Sequence, residues 1–159
     1  MRRACFALTM VVPGFLQADW VSVDVPPGLT PPGTATEGPA GTWTLEGAGT
    51  DIWNPSDEFH YLYDDEPRSG DFALSCHVVS LGDTPNLWGK TGLMARTGVP
   101  DFMGPESYAF CCATTGNGIC LQWRDGDGTE AAWNGAPNQW KVGPDDVWLK
   151  LIRKGDSFF

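Results

Sequence analysis

Four side chains have the types and spacing to hold a ligand. Lys90 and Arg96 fall, with Met94, on one side of the alternating segment Leu87 to Thr97, and Gln122 and Arg124 fall on one side of Ile119 to Arg124. Residues two apart on a strand share a face, so ammonium, guanidinium and amide donors gather if the two segments are neighbours in one sheet. Such donors suit sugar hydroxyls or carboxylates, with tryptophan nearby for stacking. The same pattern also fits solvent-facing sheet residues paired with surplus Asp and Glu. His77 lies on the polar side of a third alternating segment.

Catalytic patterns are weaker. Sandwich-fold glycosidases place two carboxylates about the scissile bond, commonly two residues apart on a strand, and no Glu-x-Asp-x-Glu run is present. The clusters Asp64-Asp65-Glu66 and Asp145-Asp146 read as solvated loop charge. Ser75 with His77 or His60 has no flanking motif of a catalytic triad. In Asp125-Gly126-Asp127-Gly128-Thr129-Glu130, oxygen ligands alternate with glycine as in a calcium loop, so Asp125, Asp127 and Glu130 are calcium candidates. The acidic residue that closes an EF-hand loop is missing, and an ordinary acidic hairpin is the competing reading.

Of the five cysteines, none shows the Cys-x-x-Cys spacing of a zinc site. Cys112 and Cys120 have the parity to face each other across a hairpin, as a disulfide or as free thiols packed like small hydrophobes. Cys76 falls on a core-facing register, and Cys111 stands beside Cys112.

The elements that must position these groups read as strands. Trp20 to Val25, Gly41 to Gly47, Glu58 to Tyr63, Phe72 to Val78, Leu87 to Thr97, Tyr108 to Thr115, Ile119 to Arg124 and Val147 to Ile152 alternate, while no segment keeps a 3.6-residue period. Phe59, Tyr61 and Tyr63 share a face, as do Phe72, Leu74, Cys76 and Val78; Ile119, Leu121 and Trp123 are expected to face the core. Pro26 to Pro39 reads as a connecting loop, and Thr115-Gly116-Asn117-Gly118 as a hairpin turn. The expected fold is all-β, a two-sheet antiparallel β-sandwich or jelly roll.

Composition agrees. The chain has 159 residues, 20 Gly and 13 Pro, enough for one domain of short elements joined by turns. Its net charge of −10 repels phosphate backbones and anionic lipid, so neither nucleic acid nor a membrane is an expected partner. Eight Trp exceed the needs of one core, and surplus aromatics stack on ligands, although most are expected to pack in the interior.

At the start, Met1-Arg2-Arg3 and the apolar run to Val12 resemble a signal peptide spanning residues 1–18, with cleavage after Ala18; an N-terminal β-segment is the alternative. At the other end, Gly155-Asp156-Ser157-Phe158-Phe159 reads as a turn entering a strand, so residues 19–159 are expected to be a domain lacking its C-terminal strands.

The motif order resembles a known family. Gly41-Thr42-Trp43-Thr44-Leu45-Glu46-Gly47 through Trp53, Asp57 to Tyr63, Gly70-Asp71 and Trp88-Gly89-Lys90-Thr91-Gly92-Leu93-Met94-Ala95-Arg96 come first, followed by Leu121-Gln122-Trp123-Arg124 and Trp148 to Gly155. Together they resemble a concanavalin A-like jelly-roll module of the "regulation of enolase" type. That resemblance implies an extracellular, non-catalytic accessory module of a large secreted bacterial protein, with a glycan or neighbouring domains as partners. It supplies no catalytic residues and no cofactor. Lys90, Arg96, Gln122 and Arg124 match its motifs and are the expected ligand-binding residues. A glycan-active hydrolase domain and a purely structural spacer are the alternative functions.

Overall fold

Two-residue alternation dictates strands, and strands are what form. The computed structural model describes residues 4–9 in their backbone, together with 19–82, 84, 86–98, 105–135 and 145–159. In chain order the strands are β1 (Ala4–Thr9), β2 (Trp20–Val25), β3 (Thr34–Glu37), β4 (Thr42–Gly47), β5 (Ile52–Trp53), β6 (Ser56–Asp57) and β7 (Phe59–Asp64). They continue as β8 (Phe72–Leu81), β9 (Lys90–Arg96), β10 (Tyr108–Thr114), β11 (Ile119–Arg124), β12 (Ala132–Trp133), β13 (Val147–Lys154) and β14 (Ser157–Phe158). Among the described residues a 3-10 turn at Pro39–Gly41 is the only helical element.

Every pairing described is antiparallel. One sheet has the order β14-β13-β8-β1-β4-β3 and a second the order β12-β11-β10-β9; β2 with β7, and β5 with β6, form two ribbons. The expected all-β antiparallel sandwich is therefore the observed architecture. Cys76 and Val78 of β8 and Val147, Leu149 and Leu151 of β13 pack on Leu93, Ala109 and Ala113 of the four-stranded sheet. Each buried leucine here contributes about 1.5–3 kcal/mol.

The four-stranded sheet is buried on both faces, which explains why β10 (Tyr-Ala-Phe-Cys-Cys-Ala-Thr) alternates so little in polarity. Its inner face meets the six-stranded sheet. Its outer face carries a second core of Met94, Tyr108, Phe110, Cys112 and Cys120, covered by Ile52 with Phe59, Tyr61, Ala131 and Trp133.

Two segments differ from their simplest reading. The loop expected between Pro26 and Pro39 contains an edge strand, β3, because Thr34 to Glu37 lies beyond the prolines and pairs on one side only. Ala4–Thr9, within the expected signal peptide, forms a strand that pairs with β4 and β8. The cleavage point after Ala18 lies outside the described residues. The final turn is a hairpin through Gly155, with Arg153 opposite Phe158.

Candidate functional site

The register brings the four expected residues onto one face. Tyr108 of β10 stands opposite Arg96 of β9 and Arg124 of β11, Phe110 opposite Met94 and Gln122, and Thr114 opposite Lys90. Lys90, Arg96, Gln122 and Arg124 thus share the outer face of the four-stranded sheet, as the alternation implied. His77 does not join them. It lies on the solvent side of the six-stranded sheet, stacked on exposed Trp148 at 4.8 Å between ring centroids and paired with Asp146 at 2.8 Å.

The outer face is covered by the β5–β6 hairpin. Arg124 is 2% exposed and Gln122 1% exposed. The Arg124 guanidinium donates to both Asp57 carboxylate oxygens at 2.8 and 2.9 Å, and to the carbonyls of Trp53 (2.8 Å), Asn54 (2.7 Å), Glu106 (3.0 Å) and Thr129 (3.0 Å). Arg96 donates to Asp57 at 2.6 Å and to Glu106 at 2.5 Å, with its own side chain 1% exposed. Gln122 donates to the Ile52 carbonyl and the Tyr108 hydroxyl, and that hydroxyl donates to the same carbonyl at 3.1 Å. Burial pushes the Tyr108 hydroxyl up to about 12. The geometry matches the chemistry, since a planar fork with five N–H donors can clamp a carboxylate and several carbonyls at once.

Arg96, Gln122 and Arg124 therefore hold the β5–β6 hairpin against the sheet. The hairpin in turn carries Asp51 and Trp53 to the end where Lys90 emerges. There Asp51, Trp53, Trp88, Lys90, Cys120, Gln122 and Trp133 line a pocket of about 140 Å³. Trp88 and Trp133 meet edge to face at 5.3 Å. The Lys90 ammonium lies 5.9 Å from the Trp53 ring centre and 6.0 Å from that of Trp88, and donates to Asp51 at 2.5 Å. A much wider cleft of about 1720 Å³ shares Asp51, Trp88 and Lys90 with the pocket and runs past Tyr61 and Tyr63. Its size exceeds the range of sites that enclose a small molecule.

Local sequence explains how Trp88 is placed. Gly118, at φ +81°, closes the β10–β11 hairpin, where its carbonyl accepts from the Thr114 backbone and hydroxyl. Gly116 N–H and the Asn117 side-chain amide then donate to the Leu87 carbonyl, and Thr115 N–H to that of Gly89. The turn at Thr115 to Gly118 thus pins the segment bearing Trp88 beside the sheet.

The calcium candidates are arranged as a hairpin. Asp127 accepts from the Ser107 backbone N–H at 2.7 Å and hydroxyl at 2.9 Å, bonds that hold its carboxyl below the usual range. Asp125 and Glu130 are exposed, and among the described residues no three His, Cys, Asp or Glu side chains gather as a metal site.

Asp51, Asp57, Glu106 and Trp133 were not singled out from the sequence as site residues. Two arginines on the polar sides of two strands, in so acidic a chain, were a signal that buried carboxylates must meet them. Trp133 sits in a two-residue strand with too little pattern to place it. Compared with protein-family models, curated proteins and solved structures, the chain matches none.

Proposed function

We propose that this chain is a non-catalytic carbohydrate-binding module that takes one edge of a sugar ring into the tryptophan pocket. The observation that carries this reading is the convergence of Trp53, Trp88 and Trp133, from three separate segments, around the Lys90–Asp51 pair. Aromatic faces stack on the C–H face of a pyranose, and an ammonium with a carboxylate supplies donors and acceptors for its hydroxyls. A cavity of about 150 Å³ holds benzene, which has half the heavy atoms of a hexopyranose, so the pocket of about 140 Å³ takes one edge of a sugar ring and leaves the rest in the adjoining cleft. The adjoining cleft leaves room for further units. Lys90 and Gln122 line the pocket, whereas Arg96 and Arg124 act through the hairpin they clamp.

At the tryptophan pocket, binding is favoured over hydrolysis because Asp51 is the one carboxylate in the lining. A glycosidase needs one carboxylic acid and one free carboxylate facing the substrate. Asp57 and Glu106 meet at Arg96 and are engaged by it, and Asp51 is paired with Lys90. An extracellular setting within a larger secreted protein fits the sequence resemblance.

Glycan-array screening followed by calorimetry tests the reading. A glycan that binds the wild type should bind the Trp133→Ala variant about tenfold more weakly, a loss near 1.4 kcal/mol. Absence of binding across a broad array, or affinity indifferent to Trp133, would remove the support for a sugar site.

A further inference from the structure

Four of the five cysteines have described side chains, and they divide between the two faces of the four-stranded sheet. Cys76 lies in the inner core and Cys111 packs against it. Burial pushes the Cys76 thiol up to about 12 and raises that of Cys111, so both are poor nucleophiles. Cys112 and Cys120 lie on the outer face as direct register partners on β10 and β11. Their Sγ atoms are 3.2 Å apart. Opposed residues of an antiparallel pair have Cα atoms about 4.5–5.5 Å apart, inside the range a disulfide spans.

The pair is asymmetric. Cys120, itself 5% exposed, lines the tryptophan pocket, while Cys112 is fully covered and does not line it. The hydrogen bond between the two thiols is the largest influence on both, lowering Cys120, where Lys90 also favours negative charge, and raising Cys112, where burial adds to it. One sulfur is thus poised to attack from the pocket and the other is placed to resolve the product.

We propose that Cys112 and Cys120 form a redox-active dithiol at the pocket floor that exchanges with low-molecular-weight disulfides. The Cys120 thiolate attacks one sulfur of R–S–S–R, forming a mixed disulfide and releasing RS⁻. The Cys112 sulfur, giving up its proton, then attacks Cys120 Sγ and expels the second RS⁻. A Cys112–Cys120 disulfide results. Two electrons pass from the protein thiols to the small disulfide, which leaves as two RSH after taking the two thiol protons. The dithiol chemistry needs no bound carbohydrate, because it uses the sulfur geometry and the opening that Cys120 lines.

The test is native exposure of the full chain to uncharged 2-hydroxyethyl disulfide, followed by intact mass and peptide mapping. The wild type should lose two hydrogens in mass through a Cys112–Cys120 link reversible by dithiothreitol. This should occur at least about tenfold faster than any modification of Cys76 or Cys111. Cys112→Ala should stop at a single mixed disulfide on Cys120, and Cys120→Ala should react slowly. The wild-type mapping stands even if a variant folds poorly. A link involving Cys76 or Cys111, equal reactivity of all four thiols, or no native reaction while the unfolded chain reacts readily would overturn the proposal.

Discussion

The two faces of the four-stranded sheet are built from the same strands by opposite means. On the inner face Leu93, Ala109 and Ala113 meet Cys76, Leu149 and Leu151, and cohesion comes mainly from apolar area. On the outer face a hairpin far away in sequence is held by two arginines, two acids and a glutamine amid Met94, Tyr108 and Phe110. Apolar packing is nondirectional and tolerates volume-conserving exchange. A buried guanidinium fork fixes position, and removing one partner strands the other without water. The inner face therefore supplies cohesion, while the outer face supplies placement of Trp53 and Asp51 at the pocket.

The largest expected effect breaks the outer face. Arg124→Ala should cost about 4 kcal/mol in urea unfolding, because it leaves Asp57 buried with half its partners and several carbonyls without donors. Affinity per folded molecule for a bound glycan should fall with it, as the β5–β6 hairpin loosens. Leu149→Ala on the inner face should cost about 3 kcal/mol by loss of transfer energy and creation of a cavity. That variant should keep wild-type affinity under conditions where it is folded. If Arg124→Ala costs no more than about 0.5 kcal/mol, the range of ordinary surface substitutions, the contrast between the faces disappears.

Trp88→Ala sharpens the contrast from the pocket side. Trp88 is half-buried at the rim, so its loss should lower glycan affinity about tenfold while shifting the unfolding midpoint only slightly. The smallest effect concerns Asp127. Its folded-state carboxyl is lowered by the Ser107 bonds, so its contribution is present above the unfolded value and is lost as pH falls through the lower folded value. Asp127→Asn should be slightly less stable than wild type near pH 6, and the difference should shrink as pH falls below the ordinary aspartate value of about 3.9. A constant difference across that window would contradict the assignment.

Much of the fold could be read from alternation. The shared face of Phe59, Tyr61 and Tyr63 appears as a run of ring contacts at 5.6 and 5.4 Å, and Val147, Leu149 and Leu151 are all buried as their spacing implies. Alternation also placed Lys90, Arg96, Gln122 and Arg124 on one face. It could not say what covers that face, because the cover comes from Ile52 to Asp57, about 70 residues from Arg124 in sequence, and leaves no mark in the periodicity of β11. Ile119, Leu121 and Trp123, expected as the core-facing set, are only half-buried, while Cys120, Gln122 and Arg124 are the deeper side. The β3 strand was obscured by the prolines and glycines around it.

The most direct test of the account is hydrogen–deuterium exchange with and without a bound glycan, which locates the ligand independently of any substitution. Glycan should slow exchange in the segments bearing Asp51 to Asp57, Trp88 to Lys90 and Trp133, and leave the solvent face around Trp148 unchanged. Protection confined to the Trp148 face, with the β5–β6 hairpin unaffected, would contradict it.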